Sequence, residues 1–258
     1  MFGLLRKASV PGHASQLTLT HAGETIVVSL RRAPTARRFT LRVRFAARDA
    51  VLTMPQRASM QEARAFAERN AAWIAVRLKR LPDTIPFAHG SILPLRGVDH
   101  LLLHEQERRG VVWTEPLNDA QRNGAQAQMA LCVSGRSEHV HRRIQDYLKR
   151  EARRDLESAV ARHARTLDLA PRGVGLRDPI SRWGSCSAAG SLNFSWRLIL
   201  APPFVLDYLA AHEVAHLVHL DHSPKFWKLT HRLSPAVDRA EAWLAAHGAH
   251  LHKYGATP

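Results

Sequence analysis

Cysteine is nearly absent: of 258 residues only Cys132 and Cys186 are cysteines. They lie far apart and neither has a CxxC partner, which excludes a disulfide framework and a cysteine-type zinc site and points to a reducing cytoplasm. Long apolar runs are missing too. The opening residues MFGLLRKASVPGHA hold no apolar stretch of signal-peptide length, and no uninterrupted run elsewhere approaches a membrane span. A soluble, cytoplasmic protein with no membrane partner is expected. No internal repeat and no low-complexity tract is apparent. Acidic residues are scarce as well, with 22 Asp/Glu against 37 Lys/Arg and a formal charge of +15. Nucleic acid therefore has to be considered as a partner.

The residues that are present suffice for a core. Hydrophobic residues make up 45% of the chain, enough for two modest domains. The basic character belongs to the front: residues 1–170 carry 28 Lys/Arg against 16 Asp/Glu, and residues 171–258 carry 9 against 6. Arg31, Arg32, Arg37, Arg38, Arg42, Arg44 and Arg48 cluster around the first strands. Arg142, Arg143, Lys149, Arg150, Arg153 and Arg154 add a stripe further on. Both groups could contact phosphate backbones, and both could equally be solvated faces.

Residues 16–55 read as strands, clearest where Phe39, Leu41, Val43 and Phe45 alternate with polar residues that include Arg42 and Arg44. Ser59 and Glu62 form a capping-box signature ahead of one long helix that runs to Pro82. Residues 86–135 mix short apolar runs with turn residues. Val140, Ile144, Leu148, Ala152, Leu156, Val160, His163 and Leu167 then share one helical face. The domain boundary is expected just before that helix, giving a β-rich basic portion over 1–136 and a second domain over 137–258. Downstream, a strand hairpin turns through Ala188, Ala189, Gly190 and Ser191. A helix then opens at Pro202 and Pro203 and runs to about Leu220, and two shorter helices follow with Ser-Pro entry signals at Ser223 and Ser234.

That helix contains His212-Glu213-Val214-Ala215-His216, an HExxH motif. Four residues of α-helix turn about 400° and rise about 6 Å, so both imidazoles leave the same face and can share one tetrahedral ion. Zinc held there would bring a water's pKa to about 7, and Glu213 beside it could act as general base for hydrolysis. A catalytic zinc needs a third protein ligand. His219 lies about 10.5 Å along the axis from His212, too far to join both histidines. His222, just past the helix end, can turn back to the ion and is the preferred third ligand; Asp221 and Glu241 rank below it. The remaining histidines, among them His139, His141, His247, His250 and His252, read as exposed or satisfied core residues.

The block RWGSCSAAGSLNFSWRLILAPPFVLDYLAAHEVAHLVHLDHSPKFW, residues 182–227, resembles the YgjP-like metallopeptidases, which are related to the SprT-like and WLM zinc proteases. Weaker similarity extends over most of the chain. The resemblance implies an α+β fold whose later part is a minimal zincin-like peptidase domain built around the active-site helix. It also implies His222 of the H-S-P-x-F-W element as third ligand to Zn2+, a protein or peptide substrate, and an edge strand along which an extended peptide could lie. Arg182, Trp183 and Cys186 belong to the family's block and read first as packing residues. Because some SprT-like proteases act on DNA-attached proteins, association with DNA is a further implication by analogy. The competing reading is a nucleic-acid-binding module with a structural zinc. That module would need a fourth ligand, and His231 is the candidate after His222. HExxH chemistry would also serve another amide or an ester.

Overall fold

Two hairpins of the same construction start two similar sheets. In the first, strands β1 (Gln16–His21) and β2 (Glu24–Ala33) pair antiparallel through Ala22 and Gly23, both at positive φ (50° and 79°). Mirror-image turns of this kind match the right-handed twist of the strands they join, and glycine takes the second position at no steric cost. Strands β3 (Thr40–Arg44) and β4 (Asp49–Pro55) complete a sheet in the order β1-β2-β4-β3, with β2 parallel to β4. The computed structural model describes residues 16–44, 49–79, 84–118 and 127–255. Phe45 and Arg48, named above, lie outside them.

The chain divides into two units, Met1–Pro82 and Asp83–Pro258. In the first, helices α1 (Met60–Arg69) and α2 (Ala71–Lys79) pack on one face of the sheet. Leu17, Leu19, Ile26, Val28, Leu30, Leu52 and Met54 meet Ala63, Ala67 and Ile74 there in a single apolar cluster. The capping box forms as expected: the Ser59 amide donates to Glu62 Oε2 at 2.7 Å, and the Glu62 amide donates to Ser59 Oγ at 3.2 Å. The single long helix expected to reach Pro82 is instead broken at Asn70, whose Nδ2 donates to the Phe66 carbonyl at 2.8 Å and ends the first turn series.

In the second unit β5 (Ile92–Leu95) and β6 (Val98–His104) form a hairpin through Arg96 and Gly97, again at positive φ (53° and 75°). With β7 (Val112–Pro116) and β8 (Met129–Val133) they make a sheet of order β5-β6-β8-β7, with β6 parallel to β8. Strand order and directions repeat those of the first sheet, a structural repeat whose trace in the residues is confined to the turn of each first hairpin. Helix α3 (Val140–Thr166) follows and buries Val140, Ile144, Leu148, Ala152, Leu156, Val160 and His163, the face its spacing marks out. Its partners include Leu93, Leu102, Leu131 and Val133 of this sheet. For that reason the division falls between Pro82 and Asp83 and not before Ser137: the strands of 92–133 share their core with everything downstream.

A three-stranded sheet of order β10-β11-β9 comes next, from β9 (Gly173–Arg177), β10 (Gly184–Cys186) and β11 (Ser191–Ser195). It leaves β10 at an edge. Helices α4 (Pro203–Ala215), α5 (Pro224–Leu233) and α6 (Val237–His247) complete the unit. Arg197, 3% exposed, ties the end of the chain to this sheet: it clasps Asp178 through two nitrogens and donates to the carbonyls of Leu251 and Tyr254. The result is a mixed α+β protein with three small sheets and six α-helices among the described residues. No helix among them is long and apolar enough to cross a membrane.

Candidate metal centre

Helix α4 is buried almost all round. Val205, Leu206, Tyr208, Leu209, Ala210, Ala211, Glu213, Val214 and Ala215 are all inside, as befits a helix with apolar residues on every face. It carries His212 and Glu213 and ends at Ala215, five residues before the expected Leu220. The amides of Leu217 and Val218 bond back to Val214 and Ala215 at 3.0 Å, tightening the last turn. The His216 Nδ1 lies 3.0 Å from the His219 carbonyl. This early stop lets the chain double back, and His222 Nε2 comes to 3.1 Å from His212 Nε2.

One ligand atom from each of His212, His216 and His222 lies within 4.8 Å of the others. Ligand atoms of a tetrahedral zinc with bonds of about 2.0–2.1 Å stand about 3.3–3.4 Å apart, close to the spacing of the two Nε2 atoms. The rings rest on Phe226, which is fully buried and stacks on His216 at 4.5 Å between ring centres. Phe226 also meets His212 at 4.9 Å and His222 at 4.7 Å. Burial first, then the neighbouring His216 and His222, pushes His212 down to about 4. Burial likewise lowers His216. Neutral imidazoles are lone-pair donors, the form that binds a metal.

Outer hydrogen bonds orient two of the rings. The His219 carbonyl can only accept, so His216 carries its proton on Nδ1 and turns Nε2 inward. Tyr208 donates its hydroxyl proton to Glu241 Oε1 at 2.9 Å, leaving its oxygen to accept from His212 Nδ1 at 3.2 Å. Burial, reinforced by the bond to Glu241, keeps the Tyr208 phenol protonated.

Glu213 is 3% exposed, and its Oε2 has no hydrogen-bond partner among the described residues. Burial pushes its carboxyl up to about 7, with the Arg182 guanidinium pulling the other way. Glu213 opens onto a cavity of about 310 Å³, whose walls include Arg182, Trp183, Gly184, Tyr208 and His212. A buried, unpartnered carboxylate oxygen is costly unless a reactant uses it.

The residues weighed as alternatives lie elsewhere. His219 contributes its carbonyl, not its ring. Asp221 is exposed, and its carboxyl is lowered by hydrogen bonding to Ser223. Glu241 serves Tyr208, and His231 sits 3.9 Å from Asp238, outside the three-histidine group. Trp183 stacks on His252 at 5.1 Å and, with the exposed Arg182, forms part of the cavity wall. Cys186 is half-buried; its thiol is raised by burial and by Glu213, and its Sγ lies 3.4 Å from the Ser187 carbonyl. Tyr208, Gly184 and Phe226 were not singled out from the sequence. Tyr208 stands four residues before His212 on the same helical face, and Gly184 is a glycine inside a strand; both signals were available.

An HExxH helix with a third imidazole brought round from the following turn is the arrangement of a metallopeptidase centre. Residues 37–247 match the model of the family described as YgjP-like, metallopeptidase domain, and the chain belongs to that family. Neither curated proteins nor solved structures give a match.

Proposed function

We propose that the protein is a zinc-dependent peptidase in which His212, His216 and His222 hold the metal and Glu213 is the general base. The observation that carries this reading is the convergence of three imidazole nitrogens within 4.8 Å of one another beside a buried carboxylate with an unpartnered oxygen. Imidazole donors in a four-coordinate setting favour zinc, and three protein ligands leave the fourth position to reactants. A zinc ion held there supplies Lewis acidity and brings a water's pKa down to about 7.

The chain's own groups do the rest. Glu213 Oε2 takes a proton from the attacking water and returns it to the nitrogen of the leaving amine, so no covalent bond to the protein is needed. Among the described residues strand β10 stands at an edge of the order β10-β11-β9, and its main-chain groups suit an extended peptide laid alongside. An edge strand beside the HExxH helix supports a zincin-like catalytic architecture, and family membership favours the peptide bond over another amide or an ester.

The purified protein should hold about one zinc per chain. It should cleave an unfolded protein substrate, lose that activity to a chelator and regain it with zinc. Glu213→Gln should keep the zinc and lose turnover. Wild-type turnover in that variant, or no zinc bound by the native protein, would overturn the reading.

A further inference from the structure

We propose that the open face of the N-terminal sheet binds the phosphate backbone of nucleic acid through Arg31, Arg37, Arg38 and Arg42. The charge is concentrated in this unit: residues 1–82 carry 15 Lys/Arg against 4 Asp/Glu, which is +11 of the whole chain's +15. Helices α1 and α2 cover one face of the sheet. Because side chains alternate across a strand, the other face is set by register. Arg31 stands opposite Thr53, which stands opposite Thr40; Ser29 stands opposite Val51, which stands opposite Arg42. Arg37 and Arg38 lie in the connection that leads into Thr40, and all four arginines are exposed.

Among the described residues no acid compensates their charges. The ion pairs of this unit among those residues are Arg44 with Asp49, Arg64 with Glu68 and Lys79 with Glu24. Arg31, Arg37, Arg38 and Arg42 make none among the described residues. Asp49 is the one acid on this face among them, and Arg44 and Ser29 occupy it. Solvated faces ordinarily intersperse both signs. A face whose unpaired charges among the described residues are all positive, dotted with the hydroxyls of Thr18, Thr40 and Thr53, offers guanidinium and hydroxyl donors, the groups that contact phosphate.

The sheet of the second unit is the internal comparison. It has the same strand order, yet its corresponding face carries Leu101, Leu103, Ala130, Cys132 and Trp113 and is closed by the chain's own Leu117 and Ala127. A face meant for the protein's own chain is apolar; the first sheet's face is not. A lipid surface fits less well, because membrane-binding elements add large apolar side chains that insert, and the apolar side chains of this face among the described residues are the small ones of Val27, Ala33, Val51 and Pro55.

The test is a fluorescence-anisotropy titration of the full chain with a labelled 20-base-pair duplex, with and without chelator, from about 50 to 200 mM salt. Zinc-independent binding is expected, with affinity falling as salt rises. Replacing Arg31, Arg37, Arg38 and Arg42 together by Gln should flatten the log–log salt slope by roughly 3 to 4. The matching Lys variant should keep most of the slope. Gln at four exposed positions of the second unit, Arg165, Arg172, Lys228 and Arg232, should leave it unchanged. No binding at the lowest salt, an unaltered slope in the four-arginine Gln variant, or equal sensitivity to the control set would overturn the proposal. So would vesicles of anionic phospholipid that bind the wild type while the duplex does not. None of these outcomes bears on the metal centre, which lies in the other unit.

Discussion

Gly184 and Glu213 are in contact so close that no side chain fits between them: a Cβ on Gly184 would lie 2.8 Å from both Cγ and Cδ of Glu213 and nearer still to Oε1. The edge strand therefore approaches the Glu213 carboxylate with its backbone, and an extended peptide paired to that strand, as proposed above, would need that close approach.

Gly184→Ala should displace the Glu213 carboxylate and leave the strand in place, since the side-chain end yields more readily than the sheet. Kinetic analysis should find kcat/KM down by about 10²-fold, the cost of misplacing a reacting group by about 1 Å, while metal analysis finds zinc retained. Full activity in the variant would mean that Glu213 has room the structure does not give it.

Tyr208 links His212 to Glu241, and groups that orient a metal-binding imidazole typically matter about 10–100-fold in metal affinity. Tyr208→Phe should weaken zinc binding by that order in a competition titration, with the helical signal of the protein unchanged. Glu241→Gln still offers an oxygen to the Tyr208 hydroxyl and should weaken binding less than Glu241→Ala. Equal affinity in Tyr208→Phe and wild type would remove Tyr208 from the centre.

The parts of this arrangement that were legible in the residues are local ones. The HExxH spacing, the capping box of Ser59 and Glu62 and the buried stripe of α3 each follow from one element's own periodicity. The early end of α4 does not, because Leu217, Val218 and Leu220 continue an apolar helix pattern and only the His219 carbonyl, engaged by His216, marks the stop. The unit boundary was hidden for a related reason: strands between 92 and 133 look like those of the front, and nothing in them announces that Leu93, Leu102 and Leu131 pack against α3. The repeated sheet topology leaves only the two turns, Ala22 with Gly23 and Arg96 with Gly97, as traces.

Asp207, near the start of α4, is the acceptor for Arg162, for His163 Nε2 at 2.9 Å and for Ser234 Oγ at 3.4 Å. Burial alone would raise its carboxyl, but the His163 and Arg162 contacts outweigh burial and hold it below the usual carboxylate range. A carboxylate lowered on folding contributes stability above its unfolded pKa of about 3.9 and loses it as pH falls through the folded value. Asp207→Asn should therefore cost about 1–3 kcal/mol at neutral pH. Urea midpoints of variant and wild type should draw together below about pH 3. A constant gap down to that pH would show that the charge of Asp207 is not what matters.

His222 differs from His212 on α4 and His216 at its C-terminal cap in being exposed, on the turn that returns from His216. A metal shared by all three would tie that turn to the helix, so binding free energy becomes stability of this segment as well as of the fold. At free zinc about 100 times its Kd the unfolding free energy should rise by about 2.7 kcal/mol, and hydrogen exchange of the amides between 217 and 222 should slow. In His222→Ala the first effect should shrink and the second disappear, whereas the zinc-free stability should hardly change because little is buried by an exposed ring. A zinc-dependent slowing that persisted in His222→Ala would place the third ligand elsewhere.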